Sequence, residues 1–179
     1  MNFYHFEGQT PLHPPPHRHI RYFRKYPTPP CKEQAYMMLV RQLLEYASII
    51  WDPHHQTDIK KLENIQRRAA RFVQGNYQQT SSVSAMLEQL QWPSLEQRRK
   101  ELRIRFFIKI LQNKVAVNKK HLVPATERPR RTHPYQLKLI TCNKNFRKFS
   151  FFPRTIRDWN ALPADSVPKD ISSFFGKSH

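Results

Sequence analysis

Residues 57–75 read TDIKKLENIQRRAARFVQG and carry the clearest periodic pattern of the chain. Apolar residues recur every three or four positions, which is the spacing of one face of an α-helix. Thr57 or Asp58 suits the start of this helix, and Gly75 stands in the usual stop position. The pattern predicts an amphipathic helix with an apolar inward stripe and a basic outward stripe. The inward stripe consists of Ile59, Leu62, Ile65, Ala69 and Phe72, and the outward one of Lys60, Asn64, Arg67, Arg68 and Arg71.

Three further helices are predicted around this one, near residues 33–51, 83–90 and 95–113. The helix at 33–51 is apolar nearly all the way round, so we expect it to be the most buried one. Pro53 disfavours helical backbone at the residue before it, which makes Asp52 a turn or capping residue. Ser94 and Gln97 have the spacing of a capping box. The helix that follows is expected to bury Leu102, Phe106, Phe107, Ile110 and Leu111.

The two ends of the chain lack such periodicity. Residues 1–32 are rich in proline and histidine and predict a disordered arm, with no structured metal site. Residues 114–179 predict a basic, loop-rich tail with a short strand at 136–140 and a short helix near 153–161. In that helix Ile156 and Trp159 share a face, and Trp159 is expected to anchor the core. The expected fold is thus mainly α, an irregular helical bundle over residues 33–113 flanked by the arm and the tail.

Composition excludes several classes of protein. Only 3 of 179 residues are glycine, which rules out glycine-rich phosphate loops and disfavours hairpin-rich β folds. The two cysteines are too few for a disulfide framework or a zinc site, so a reducing, intracellular compartment is the default expectation, and the choice between nucleus and cytoplasm stays open. No apolar run reaches the ~20 residues that a bilayer requires, so we expect no membrane span and no secretory signal. We expect no catalytic residue, no metal and no cofactor.

The charge indicates a polyanionic partner. Lysine and arginine number 31 against 13 acidic residues, a formal net charge of +18. Residues 92–150 hold 16 basic and 3 acidic residues, and therefore most of the excess. RNA or DNA, bound through phosphates without sequence preference, is the expected partner. An ordinary solvated face remains the alternative for any single cluster. The candidate contacts are Lys60, Arg67, Arg68, Arg71, Arg98, Arg99, Arg103, Arg105, Lys109, Arg128, Arg130 and Arg131.

Several runs of sequence resemble one known family. They are LVRQLLEYAS at 39–48, WDPH at 51–54, LENIQRRAARFV at 62–73, SLEQRR at 94–99 and FFPRTIRDWNALP at 151–163. In this order they resemble the post-catalytic part of non-LTR (LINE-type) retrotransposon reverse transcriptases, and the jockey-like and chicken-repeat-like clades come closest. Where the family commonly has Val-Arg-Pro, this chain has Gln42 and Leu43, which predicts a straighter first helix.

The resemblance implies a thumb-like helical region that grips nucleic acid, without catalysis. The family copies RNA into DNA with paired aspartates that hold two metal ions. No two aspartates are adjacent in this chain; the five are Asp52, Asp58, Asp158, Asp165 and Asp170. Two alternatives stay open: a decayed retroelement product without function, and a basic interaction or adaptor protein with no nucleic-acid role.

Overall fold

The computed structural model describes residues 28–125 and 133–175 of the chain. This part is mainly helical and contains no β-strand, which confirms the predicted fold class. A π-helical stretch, Tyr36–Arg41, joins α1 to α2, and two 3₁₀ turns, Ala164–Ser166 and Lys169–Ile171, precede α9. The α-helices are α1 (Pro29–Ala35), α2 (Gln42–Glu45), α3 (Ser48–Trp51), α4 (Gln56–Gln74), α5 (Val83–Gln89), α6 (Leu95–Leu111), α7 (Asn145–Lys148), α8 (Phe151–Asn160) and α9 (Ser172–Phe175).

The first helical run differs from its prediction at both ends. Pro29 and Pro30 begin α1. Proline has no backbone N–H to donate, but N–H groups in the first turn of a helix have no partner within the helix, so no hydrogen bond is lost. The helix thus includes residues that were assigned to the disordered arm, and the rest of that arm, residues 1–27, lies outside the described part. At the other end the chain leaves the helix at Tyr46, and Ala47 has a φ of +50°. The predicted straight helix over 33–51 is therefore wrong, since a sharp turn separates α2 from α3.

The same segment was expected to be the most buried one, and this expectation is also wrong. Tyr36 and Ser48 are its two buried residues. The ring of Tyr36 stacks on Trp92 with centroids 4.5 Å apart. A helix that is apolar all round needs neighbours on several sides, and within the described residues α4 and α6 cover one side. The exposed apolar residues are Met38, Leu39, Val40, Leu43, Tyr46, Ile50 and Trp51.

Helix α4 forms where the pattern predicts it. Gly75 follows it with a φ of +65°, the left-handed conformation that favours glycine at a helix end. The buried stripe is rotated by about one residue from the predicted one, because Gln66 is buried and Ile65 is exposed. Gln66 tolerates burial since its Nε2 donates to the carbonyl of Pro93 over 2.9 Å.

Helices α5 and α6 begin at serine caps. Ser82 Oγ accepts from the backbone N–H of Ala85 over 3.4 Å, and Ser94 Oγ accepts from that of Gln97 over 3.1 Å. The Gln97 side chain contacts Glu101 instead of returning to Ser94, so half of the predicted capping box forms. Both caps satisfy N–H groups that the first turn of a helix leaves free.

Two apolar clusters hold the described chain together. The first joins π-helical Tyr36 to α4, α5 and Trp92. The second is larger and joins the later half of α6 to α8 and to residues up to Ile171. The predicted boundary between residues 113 and 114 therefore runs through the larger core. Phe107, Ile110 and Leu111 are buried as predicted, whereas Leu102 and Phe106 are only half-buried.

The C-terminal region is held by side-chain contacts to its backbone. The strand predicted at 136–140 is wrong, because a single antiparallel bridge between Pro124 and Leu137 forms there. Trp159 anchors the core as predicted: it is fully buried, and its Nε1 donates to the carbonyl of Tyr135 over 2.8 Å. Asn160 adds two hydrogen bonds to the backbone of Leu137.

Candidate nucleic-acid interface

The basic residues of α4 lie in two different environments. Lys60 and Arg68 are exposed, as an outward stripe requires, whereas Arg67 is half-buried. Arg71 instead holds the loop after the helix: its Nη1 donates to the carbonyl of Gln78 over 2.7 Å and its Nη2 to that of Ser81 over 3.4 Å. Of the predicted contacts on this helix, Lys60, Arg67 and Arg68 therefore have the fewest competing partners.

At the start of α6, Arg98 is occupied by a carboxylate. Its Nε and Nη2 both donate to Glu45, the latter over 3.0 Å. This hydrogen bond raises the pKa of Arg98. Arg41 Nε lies 3.8 Å from the same carboxylate. Arg98 thus ties α6 to α2, which lowers its value as a phosphate contact.

Arg99 and Arg103 are among the predicted contacts to nucleic-acid phosphates, but the structure places both inside the molecule and not on an exposed helix face. Their side chains are 1% and 3% exposed. Arg99 Nε donates to Asp52 Oδ1 over 2.8 Å, and Arg103 donates to Asp52 through Nη1 and to Asp158 through Nη2. Asp52, expected to be a simple turn residue, is the carboxylate that both arginines share. Arginine is suited to such buried pairing because its planar fork matches a carboxylate.

The sequence held a signal for this burial. Leu95, Phe107 and Ile110 are buried on α6, and Arg99 and Arg103 follow Leu95 at steps of four residues. They therefore lie on the inward face of the helix. Basic residues on an apolar face indicate buried ion pairs with acids elsewhere in the chain.

Arg154 of α8 completes this buried cluster. Its Nη1 lies 3.1 Å from Asp52 Oδ2 and donates to the backbone carbonyls of Asp52 and Pro53 over 3.0 and 3.4 Å. Burial lowers the pKa of Arg154, and the nearby Asp52 acts in the opposite direction. Lys100 Nζ is 3.8 Å from Asp158 Oδ1. The cluster, which we call the Asp52 cluster, contains Asp52, Asp158, Arg99, Lys100, Arg103 and Arg154.

The exposed cations lie later in the chain. Arg105 and Lys109 are exposed on α6 and four residues apart, so they share a face. The predicted loop contacts Arg128, Arg130 and Arg131 lie outside the described residues. Residues 105–150 contain 12 basic residues and one acidic residue, Glu127.

Several exposed cations in this segment were not among the predicted contacts. Within the described residues, none of them forms an ion pair with a carboxylate. On α7, an exposed phenyl ring, Phe146, stands among them. The ratio of basic to acidic residues after position 104 is the signal that could have found them. They are Lys114, Lys120, Lys138, Lys144, Arg147 and Lys148.

The described acids and histidines do not gather into a metal site. Within residues 28–125 and 133–175, no three of the His, Cys, Asp and Glu side chains are placed to hold a metal ion. In the same part of the chain, no helix is long and apolar enough to cross a bilayer.

Comparisons with known proteins add no family to this description. The chain matches no protein-family model, no curated protein and no solved structure.

Proposed function

We propose that this chain is a non-catalytic fragment of a retrotransposon-encoded reverse transcriptase that binds RNA or DNA weakly and without sequence preference. The observation that carries the binding is the set of exposed, unneutralised cations in residues 105–150. The proposed origin rests on the five sequence runs that resemble the post-catalytic part of the family.

The charges support binding through phosphates. Arg105, Lys109, Lys144, Arg147 and Lys148 are exposed and have no carboxylate partner among the described residues. Neutralisation of such cations by phosphates releases condensed counterions, which drives association. Phosphate contacts provide affinity, whereas base contacts provide specificity. Equal affinity for unrelated sequences is therefore expected.

Salt titration of binding tests the proposal. Each phosphate contact contributes about 0.9 to the log-log slope on duplex DNA and about 0.7 on single strands. The triple variant Lys144→Gln, Arg147→Gln and Lys148→Gln should lower this slope by about two to three units if all three cations touch phosphate. The double variant Lys144→Arg and Lys148→Arg keeps the charge and should leave the slope unchanged. Binding that does not depend on salt would contradict the proposal.

The absence of catalysis has its own test. Primer extension on an RNA template with magnesium or manganese should give background only, because the chain has no adjacent aspartates to hold two metal ions. Extension that is lost in Asp58→Asn would overturn this part of the proposal. Asp58 is the suitable choice since its side chain is 47% exposed and its one ion pair within the described residues is with Lys61.

One observation favours the alternative of a decayed product without function. Seven apolar side chains of residues 38–51 are exposed, among them Leu43 at 76% and Ile50 at 88%, and a folded monomer seldom exposes so many in one short segment. Under this alternative the purified chain gives a helical circular dichroism spectrum without cooperative melting. A cooperative transition together with salt-dependent binding would reject it.

A further inference from the structure

The Asp52 cluster holds more positive than negative charge. Three largely buried arginines, Arg99, Arg103 and Arg154, face two carboxylates, Asp52 and Asp158. Lys100 also approaches Asp158, but its side chain is 43% exposed and water screens its charge. Buried charges are costly unless they are paired, so the excess of one buried cation requires compensation. Both oxygens of Asp52 are already engaged by arginine. The described chain thus leaves this excess unbalanced.

Several guanidinium nitrogens in the cluster also lack acceptors. Arg99 Nη1 and Nη2 and Arg103 Nε are buried and have no hydrogen-bond partner among the described residues. Arg154 reaches its described acceptors through Nη1 alone, which leaves its Nε and Nη2 edge available. Buried donors are nearly always bonded to protein, water or a bound group. Of these residues, Arg103 and Arg154 line one cavity, so their free donors point to an anion there.

A cavity adjoins the cluster at this place. Its volume is about 380 Å³, within the roughly 300–1,000 Å³ typical of small-molecule sites. Arg103, Arg154 and Asp52 line its polar end, and Ser150 lies beside them. The remaining wall is apolar and consists of Ile49, Ile50, Phe106, Phe149 and Phe151.

We propose that this cavity binds a phosphate monoester that carries a flat aromatic group. A phosphate monoester bears about −1.5 to −2 charges at neutral pH, so its phosphate would offset the excess positive charge at the polar end of the cavity. The free edge of Arg154 suits two phosphate oxygens, since guanidinium pairs with phosphate in a bidentate manner. The three phenyl rings suit a flat aromatic body. Nothing in this inference depends on the cations of residues 105–150.

Titration of the purified full chain with adenosine 5′-monophosphate tests the proposal. Calorimetry should show one saturable site, with adenosine and inorganic phosphate each binding at least tenfold more weakly because each lacks one half of the ligand. An absence of saturable binding to a cooperatively folded chain would overturn the proposal. Equal binding of inorganic phosphate would overturn the role of the aromatic wall.

Two pairs of variants locate the site. Arg154→Gln should weaken binding at least tenfold, whereas Arg157→Gln, an exposed arginine on the same helix, should change it less than twofold. Arg154 also contacts two backbone carbonyls, so its loss can unfold the chain. Ile50→Glu tests the same site while Arg154 and its backbone contacts stay in place. Ile50 is exposed at the cavity, and a carboxylate there repels phosphate. Its control is Leu43→Glu, which adds the same charge away from the cavity. If both variants of a pair fold and weaken nucleotide binding equally, the binding site does not lie at this cavity.

One comparison separates two sources of the phosphate. A short oligonucleotide with a 5′-phosphate and its 5′-hydroxyl counterpart compete with adenosine 5′-monophosphate. Stronger competition by the phosphorylated strand supports a strand end as the ligand, and equal competition supports a free nucleotide. If the chain binds nucleic acid but shows no saturable site for adenosine 5′-monophosphate, this inference is rejected. The proposed function is then unaffected.

Discussion

Arg99 Nε donates to Asp52 Oδ1 over 2.8 Å, although the two residues are 47 positions apart. The bond joins the first half of α6 to the turn after α3, and Arg103 and Arg154 bind the same carboxylate. Part of the basic excess of residues 92–150 is thereby neutralised inside the molecule by an acid from an earlier segment. Within residues 92–150, the exposed charge is accordingly concentrated after residue 104.

Asp52→Ala should destabilise the fold strongly. Loss of one partner leaves buried arginines without their carboxylate, which typically costs about 3–5 kcal/mol. Urea unfolding followed by circular dichroism measures the change in the free energy of unfolding. Asp165→Ala, at an exposed aspartate in a 3₁₀ turn, is the control and should change stability by less than ~0.5 kcal/mol. Equal stability of the two variants would contradict the role of Asp52 as a shared ion-pair partner.

Phe146→Ala should weaken binding to single strands and leave binding to duplex DNA unchanged. The ring is 73% exposed and lies between exposed cations, so unpaired bases can stack on it. Such stacking contributes about 1–3 kcal/mol per base. Fluorescence anisotropy with matched single- and double-stranded probes measures the difference. Leu139→Ala removes another exposed apolar side chain and should have no effect on either probe. A parallel loss on both probes would exclude stacking.

Stability should fall above pH 10 because of Tyr36. Burial raises the pKa of Tyr36 to about 12, whereas an unfolded tyrosine titrates near its ordinary value of 10.0. Between these values the unfolded state loses the proton that the folded state retains, so each pH unit costs up to about 1.4 kcal/mol. Below pH 10, Tyr36 is protonated in both states, so this loss of stability does not occur there. Urea unfolding of Tyr36→Phe against the parent chain at pH 8–11 isolates it, because the variant lacks this titration.

Tyr46→Phe is the control for this pH dependence, because Tyr46 is 79% exposed. Its stability should follow that of the parent chain across the same range. If the parent and Tyr36→Phe lose stability in parallel above pH 10, burial of the Tyr36 hydroxyl is not the cause.

Gly75→Ala should destabilise the end of α4 modestly. Gly75 has a φ of +65°, and a Cβ added there would meet no atom within 4 Å. The expected loss of stability therefore comes from backbone strain and not from a steric clash. The left-handed conformation costs a non-glycine residue about 1–2 kcal/mol. Thermal melting measures the loss. Gly75→Asn should be the milder change, because asparagine tolerates this conformation better. An alanine variant as stable as the parent would contradict the strain.

Local chemistry alone determined helices α4 and α6 and the positions at which they begin and end. The 3.6-residue period of α4, the glycine after Gln74 and the Ser94 cap all act within a few residues of chain, so the sequence shows them directly. The burial of Trp159 also followed from its place on a helix with Ile156. Net charge and the excess of cations after residue 104 are likewise properties of composition.

Tertiary structure alone decided which cations are buried and where the chain turns. Arg99 and Arg103 became internal because Asp52 and Asp158, 47 and 55 positions away from them, converge on one face of α6. The break at Ala47 and the exposure of residues 38–51 depend on which neighbours pack against that segment. Ion pairing and packing are set by distances in space, and the order of residues does not specify those distances until the helices have assembled.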